Sequence, residues 1–302
     1  MIDDLRVWLG GNIRELLAGT RQGPERFEHT EPGLFGPGSA TWTVHADVAG
    51  LVGGVRALLL QSLHPLAMAG VADHSDYRVD PLGRLQRTAS FIATTTFGST
   101  AQAEKAIERV CAVHARVVGT APDGRSYSAT DPHLLAWVHC TEVDSFLRAR
   151  IRYGTSPLPP GCADCYVADM AEIGRRLGAE HPPTDVAGLR ARLWAFRAEL
   201  EVNRQARDTV RFLAWPPLPL TARAPYGLVF GAAVAMLPAF ARRMLRLPMP
   251  PFFEPWRSVP PQPSCSDQSD GRSVPIPRSR PVTTTPWPQP RVGSCGSRSY
   301  RI

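Results

Sequence analysis

The chain has 302 residues, a formal charge of +7 and 43% hydrophobic residues. That size and apolar content exclude a peptide-like or wholly disordered chain and allow one large core or two small ones. The positive charge does not mark a nucleic-acid binder: Lys105 is the sole lysine beside 33 arginines, and these do not interleave with aromatics along one stripe.

The N-terminal stretch MIDDLRVWLGGNIRELLAG has no basic start and no long apolar run, so a secretory leader is not expected and a reducing cytoplasm is the default location. A short amphipathic helix and a Gly/Pro-rich arm, EPGLFGPGSATW, fill residues 1–40. TWTVH at 41–45 alternates like a short strand. One apolar helix is expected from about Asp47 to Ala72, bent where Pro65 follows His64. Asp80-Pro81 opens the next helix, with Asp as cap and Pro in the first turn, running to about Phe97. Gln102 to Val118 reads as another, stopped by Gly119. Asp131-Pro132 begins the longest helix, which Gly154 ends. Three more are expected at 163–178, 185–213 and 226–246.

The apolar runs at 48–72 and 227–240 are interrupted by Arg56, Pro65 and Pro238. They read as buried core helices rather than spans, with contact at a membrane surface left open. Residues 253–302 hold ten prolines and no leucine, so this tail is expected to be disordered. The expectation is an all-α chain: a single globular multi-helix domain over 41–252, an N-terminal arm and a C-terminal tail.

Chemistry concentrates in a few places. Arg84, Arg87 and Thr88 sit at i, i+3 and i+4 on the helix from Pro81 and share one face. That face is either solvated or a cationic wall that holds an anion or a bound oxygen species. In AIERVCAVHARVVG, His114 falls within the stripe of Ile107, Val110, Cys111 and Val117, which turns its ring inward. A core histidine is commonly satisfied by a hydrogen bond, but imidazole is also the commonest metal ligand, and a haem needs only one in an apolar pocket. His64 lines the bend before Pro65. His139 and Glu142 are neighbours on the helix from Pro132, suited to a His–carboxylate pair. His74 with Asp73 and Asp76 resembles a metal cluster, but the spacing is loose and turn capping explains it as well. Cys162-Ala-Asp-Cys165 has redox or zinc spacing without a second pair to complete a site. No C-x-x-C-H is present, so a haem would not be covalently attached.

The segments LLLQSLHPLAMAGVADHSDYRVDPLGRLQRT, VHARVVG, DPHLLAWVHCTEVDSFL and YGLVFGAAVAMLPAFARRMLRLP resemble, in that order, the MpaB-type oxygenase and rubber oxygenase catalytic-domain family, which includes the latex clearing proteins. The resemblance covers roughly residues 40 to 250. It implies an all-helical fold around non-covalent haem b, with His114 as the proximal iron ligand and His64 and His139 as lesser candidates for ligation or for shaping the pocket. The distal R-x-x-K-T motif of rubber oxygenases reads Arg84-Leu-Gln-Arg87-Thr88 here. Arginine replaces the lysine, and a guanidinium stays charged and does not ligate iron. The implied function is a haem-dependent oxygenase acting with O2 on a hydrophobic, isoprenoid or lipid-like substrate. The alternative is a haem or lipid binding or sensing protein without turnover.

Overall fold

The computed structural model describes residues 32–75 and 81–251. Asp76–Asp80, the N-terminal helix and the C-terminal tail expected from sequence lie outside the described residues. The fold is all-α: eleven α-helices, a short 3-10 turn and one two-stranded ribbon among the described residues.

The first helix, α1 (Ala40–His45), replaces the strand expected at TWTVH. Ser39 caps it, its hydroxyl accepting from the Trp42 amide. Thr41 Oγ1 donates to Asp169 at 2.9 Å, and Trp42 Nε1 donates to the Phe35 carbonyl at 3.0 Å. A cap and a docking site thus outweigh the β preference of Thr, Trp and Val, a preference that reflects surroundings more than backbone.

The single helix expected over 47–72 is two. Helix α2 (Gly50–Gln61) and α3 (Pro65–His74) meet at 107°. His64 between them is extended, with φ −89° and ψ 115°, because a following proline disfavours helical backbone. Pro65 then opens α3, where its missing N–H costs nothing.

Helix α4 (Pro81–Phe97) is followed directly by α5 (Thr100–His114). Ser99 and Gln102 form a reciprocal capping box that starts α5. That helix ends four residues earlier than expected. Val118–Thr120 (β1) instead pairs antiparallel with Ser126–Ser128 (β2). The turn between them places Gly124 at φ +87°, and Asp123 accepts from the Arg125 amide at 3.0 Å. The D-G turn signal therefore overrides continuation of the helix.

Helix α6 (Pro132–Tyr153) is the central rod. Asp131 accepts from the His133 amide at 2.8 Å and the Leu134 amide at 3.4 Å, and Pro132 fills the first turn. Helix α2 packs closely on it. A Cβ at Gly53 would fall 3.0 Å from the Phe146 Cα. Arg56 of α2 is buried against α6 and donates to Asp144 at 2.8 Å, Ser145 at 2.6 Å and the Met236 carbonyl at 3.1 Å. Asp144 also accepts from Arg148 at 2.7 Å. Every arm of this buried pair is engaged, as burying charge requires.

Helix α7 (Cys162–Leu177) ends on Gly178 at φ +92°, a left-handed cap. The stretch 185–213 breaks into α8 (Val186–Ala195), a 3-10 turn (Phe196–Glu199) and α9 (Arg204–Ala214). Asn203 recaps the chain by accepting from the Ala206 amide at 2.9 Å, and the Glu201 amide donates to the Leu63 carbonyl at 2.8 Å. The last expected helix is also two, α10 (Leu220–Ala235) and α11 (Ala239–Met244), parted at Pro238. Pro225 lies inside α10, near its start.

Candidate active site

Helices α1, α4, α5, α6 and α7 enclose a small cavity of about 60 Å³. Two of its walls are helical stripes with the same spacing. Leu135, Val138, His139 and Glu142 of α6 stand at i, i+3, i+4 and i+7, and Met170, Ile173, Gly174 and Leu177 of α7 repeat the interval. Phe91, Ile92 and Thr95 of α4 form a third wall, and His45 and His114 complete the lining.

The three imidazoles differ. His45 is satisfied: Nδ1 lies 2.8 Å from the Thr96 hydroxyl and Nε2 lies 3.0 Å from the Tyr166 hydroxyl. Burial lowers its pKa to about 4, so the ring is neutral and both nitrogens are engaged. His139 is buried, and its Nε2 has no hydrogen-bond partner. Burial likewise takes its pKa to about 4. Its ring lies against Gly174, where an added Cβ would come within 2.9–3.1 Å of three ring atoms. Glycine at 174 is what leaves that ring its place. His114, the last residue of α5, is half-buried and lines the cavity, and burial lowers its pKa too. Beside them, burial pushes the Glu142 carboxyl up to about 7. The site therefore presents neutral imidazoles and a carboxyl that exchanges its proton near neutrality, all in apolar walls.

The other sequence candidates stand outside this lining. Arg84 donates to the Ser75 hydroxyl. Thr88 donates to the Arg84 carbonyl at 3.2 Å, and the side chains of Arg87 and Thr88 are exposed. Arg84, Thr88, Phe91 and Thr95 run at i, i+4, i+7 and i+11, so the polar end of α4 continues the stripe that walls the cavity. His64 belongs to a different cluster. It is 2% exposed, tilted against Trp137, with Nε2 3.5 Å from Glu199 and Nδ1 unpartnered. Cys162 opens α7 half-buried, Cys165 is exposed, and both are free thiols. Among the described residues no group of three or more His, Cys, Asp or Glu is arranged to hold a metal ion.

Sequence reasoning missed His45, Thr95 and Gly174. His45 sat in a stretch read as a strand, and nothing local links a glycine on α7 to an imidazole on α6. Periodicity did put His139 and Glu142 on one wall, but the expected His–carboxylate pair does not form: His139 Nε2 has no partner, and burial alone shifts both groups.

A family model described as ER-bound oxygenase mpaB/B'/Rubber oxygenase, catalytic domain, matches residues 42–258. The chain belongs to this family. No curated protein and no solved structure matches it. The matched span of the mpaB/rubber oxygenase domain contains every residue that lines the cavity. The family description names an oxygenase, which takes O2 and an organic substrate. Among the described residues no single helix is long and apolar enough to cross a membrane.

Haem is the cofactor implied by the resemblance, and the site can be tested for it. The donors suit it: a buried imidazole nitrogen with no partner and a second imidazole on the same void are what an iron ligand set asks of a protein. The space does not yet suit it. About 60 Å³ is well below the roughly 300–1,000 Å³ of pockets that hold cofactor-sized ligands. A macrocycle enters only if apolar walls such as Phe91, Ile92 and Leu177 move apart.

Proposed function

We propose that this mpaB/rubber oxygenase domain is a haem-b-dependent oxygenase that uses O2 on a hydrophobic, isoprenoid or lipid-like substrate. The observation that supports it is the shared apolar void of His114 and His139, with Glu142 beside them and His139 Nε2 left without a partner. His114 is the proposed iron ligand, and His139 is the second imidazole able to take that role. Haem bound there supplies the O2 and one-electron chemistry at its iron.

The chain's own residues do the rest. Phe91, Ile92, Leu135 and Met170 exclude water and receive an apolar substrate. The Glu142 carboxyl holds or accepts a proton at its Oε atoms near neutral pH. Arg84, Arg87 and Thr88 lie outside the lining, on the polar end of the α4 face that walls the cavity; with the walls parted by haem, they would offer cationic and hydroxyl donors to negative charge at the site. The guanidinium of Arg87 does this without ligating iron.

The test is oxygen uptake by haem-loaded protein with isoprenoid and polyunsaturated lipid substrates. Uptake that depends on substrate, and falls about 100-fold or more in Glu142→Gln, supports the reading. The small void favours a second one, haem or lipid binding without turnover: O2 binding with no substrate-dependent uptake would establish it instead.

A further inference from the structure

Among the described residues the two most exposed large apolar side chains are close in sequence, and neither lines the cavity. Trp215 is 86% exposed and Leu220 is 79% exposed. They flank Pro216-Pro217-Leu218-Pro219, a connection that three prolines stiffen. Both ends of it are fastened. The Trp215 amide donates to the Arg211 carbonyl at 3.0 Å. Tyr226 Oη donates to the Leu213 carbonyl at 2.6 Å, and Arg223 Nε donates to the Leu218 carbonyl at 3.1 Å. Holding Trp215 and Leu220 out in water is therefore built into the fold.

The flanking helices extend the feature in two chemistries. On α10, Leu220, Ala224 and Leu228 are exposed at i, i+4 and i+8, while Val229, Ala232 and Ala233 bury the other side. On α9, Arg204, Arg207 and Arg211 are exposed at i, i+3 and i+7, and the exposed Trp215 follows directly on the last turn as its C-cap. The opposite face of α9, with Ala206, Val210 and Leu213, is already buried. Asp208 is the one acid of α9, 3.6 Å from Arg211. An apolar tip beside a stripe of arginines matches a bilayer surface. Indole and leucine enter the interface, where tryptophan is at home, and guanidiniums meet phosphates.

We infer that the face formed by Trp215, Leu220 and Leu228, with Arg204, Arg207 and Arg211 beside it, docks peripherally on an anionic lipid bilayer. Trp215 and Leu220 enter the headgroup region, and the arginines engage lipid phosphates. This docking is independent of haem.

The experiment is flotation of the full chain with vesicles of phosphatidylcholine alone and of phosphatidylcholine with phosphatidylserine. The protein floats with the phosphatidylserine vesicles, floats less with phosphatidylcholine alone, and is released by high salt. The double variant Trp215→Ser/Leu220→Ser weakens partitioning by about tenfold or more. Its circular dichroism and melting temperature stay close to the parent's, because both side chains are already in water. Arg207→Glu/Arg211→Glu removes the preference for phosphatidylserine. Equal partitioning of parent and Trp215→Ser/Leu220→Ser overturns the inference, as does absence of binding to either vesicle. If that variant instead dissolves a dimer and leaves vesicle binding unchanged, the face belongs to a second copy of the chain and the inference fails.

Discussion

Glu142 carries the clearest single-residue prediction. Burial raises its carboxyl from an ordinary 4.5 to about 7. The folded chain thus holds a proton the unfolded chain would release. Stability is full below about pH 4.5 and falls as pH rises through 7. Glu142→Gln removes this penalty. Its advantage over the parent should be near zero in acid and on the order of 2–3 kcal/mol above neutrality. Chemical denaturation at both ends of that range measures it, and parallel curves would refute it. His133 gives the opposite pairing on another part of α6. Its Nδ1 lies 2.7 Å from Glu180 and its Nε2 lies 2.9 Å from Glu199. Burial disfavours the charged ring, but the hydrogen bonds and charges of both glutamates outweigh it and raise the pKa above 6.5. Only the imidazolium can donate to both carboxylates. Stability from this clamp is full below 6.5 and lost as pH rises through the raised value. The melting-temperature gap between parent and His133→Gln should be widest near about pH 6 and close by about pH 9; a gap independent of pH would remove the clamp. Of these groups, sequence periodicity brought out His139 and Glu142, because helical spacing alone makes them neighbours. The partners of His133 lie 47 and 66 residues away, and no local pattern joins them.

At the scale of elements, the contact of α6 and α7 depends on a missing side chain. A Cβ at Gly174 would fall 2.9 Å from His139 Cε1, so Gly174→Ala must displace the ring or part the helices. The expected cost is about 1–3 kcal/mol, despite alanine's better helix propensity. A stabilised Gly174→Ala would show that the contact is slack. The N-terminus of α6 rests on Asp131, which accepts from two amides. Asp131→Ala should cost about 1 kcal/mol, read as a lower denaturation midpoint. Sequence fared best where such signals were explicit. The start at Asp131-Pro132, the stop at Gly154 and the start of α4 at Pro81 all follow from capping and proline chemistry. It failed where short-range preference met tertiary docking. TWTVH became a helix because Ser39 and Asp169 were waiting for it. The 185–213 stretch broke because Asn203 recaps the chain and Glu201 bonds to Leu63, contacts that periodicity does not register.

Across the whole molecule, the all-α architecture was legible from helical spacing and scarce strand signals, whereas the shape of the cavity was not. Five helices contribute to it, and its volume depends on how closely Phe91, Ile92 and Leu177 approach. The central claim is that this cavity is the haem site. Since the closed void is smaller than a porphyrin, haem loading must part its walls. Hydrogen exchange in α4 should change on loading, while α2 and the buried Arg56–Asp144 pair stay protected. The most direct measurement is the visible absorption spectrum during haem titration of the full chain and of His114→Ala, His139→Ala and His64→Ala. The account predicts a stoichiometric Soret band in the parent and in His64→Ala, lost in His114→Ala and shifted or weakened in His139→Ala. An unchanged band in both His114→Ala and His139→Ala, or a parent that takes up no haem, would contradict it.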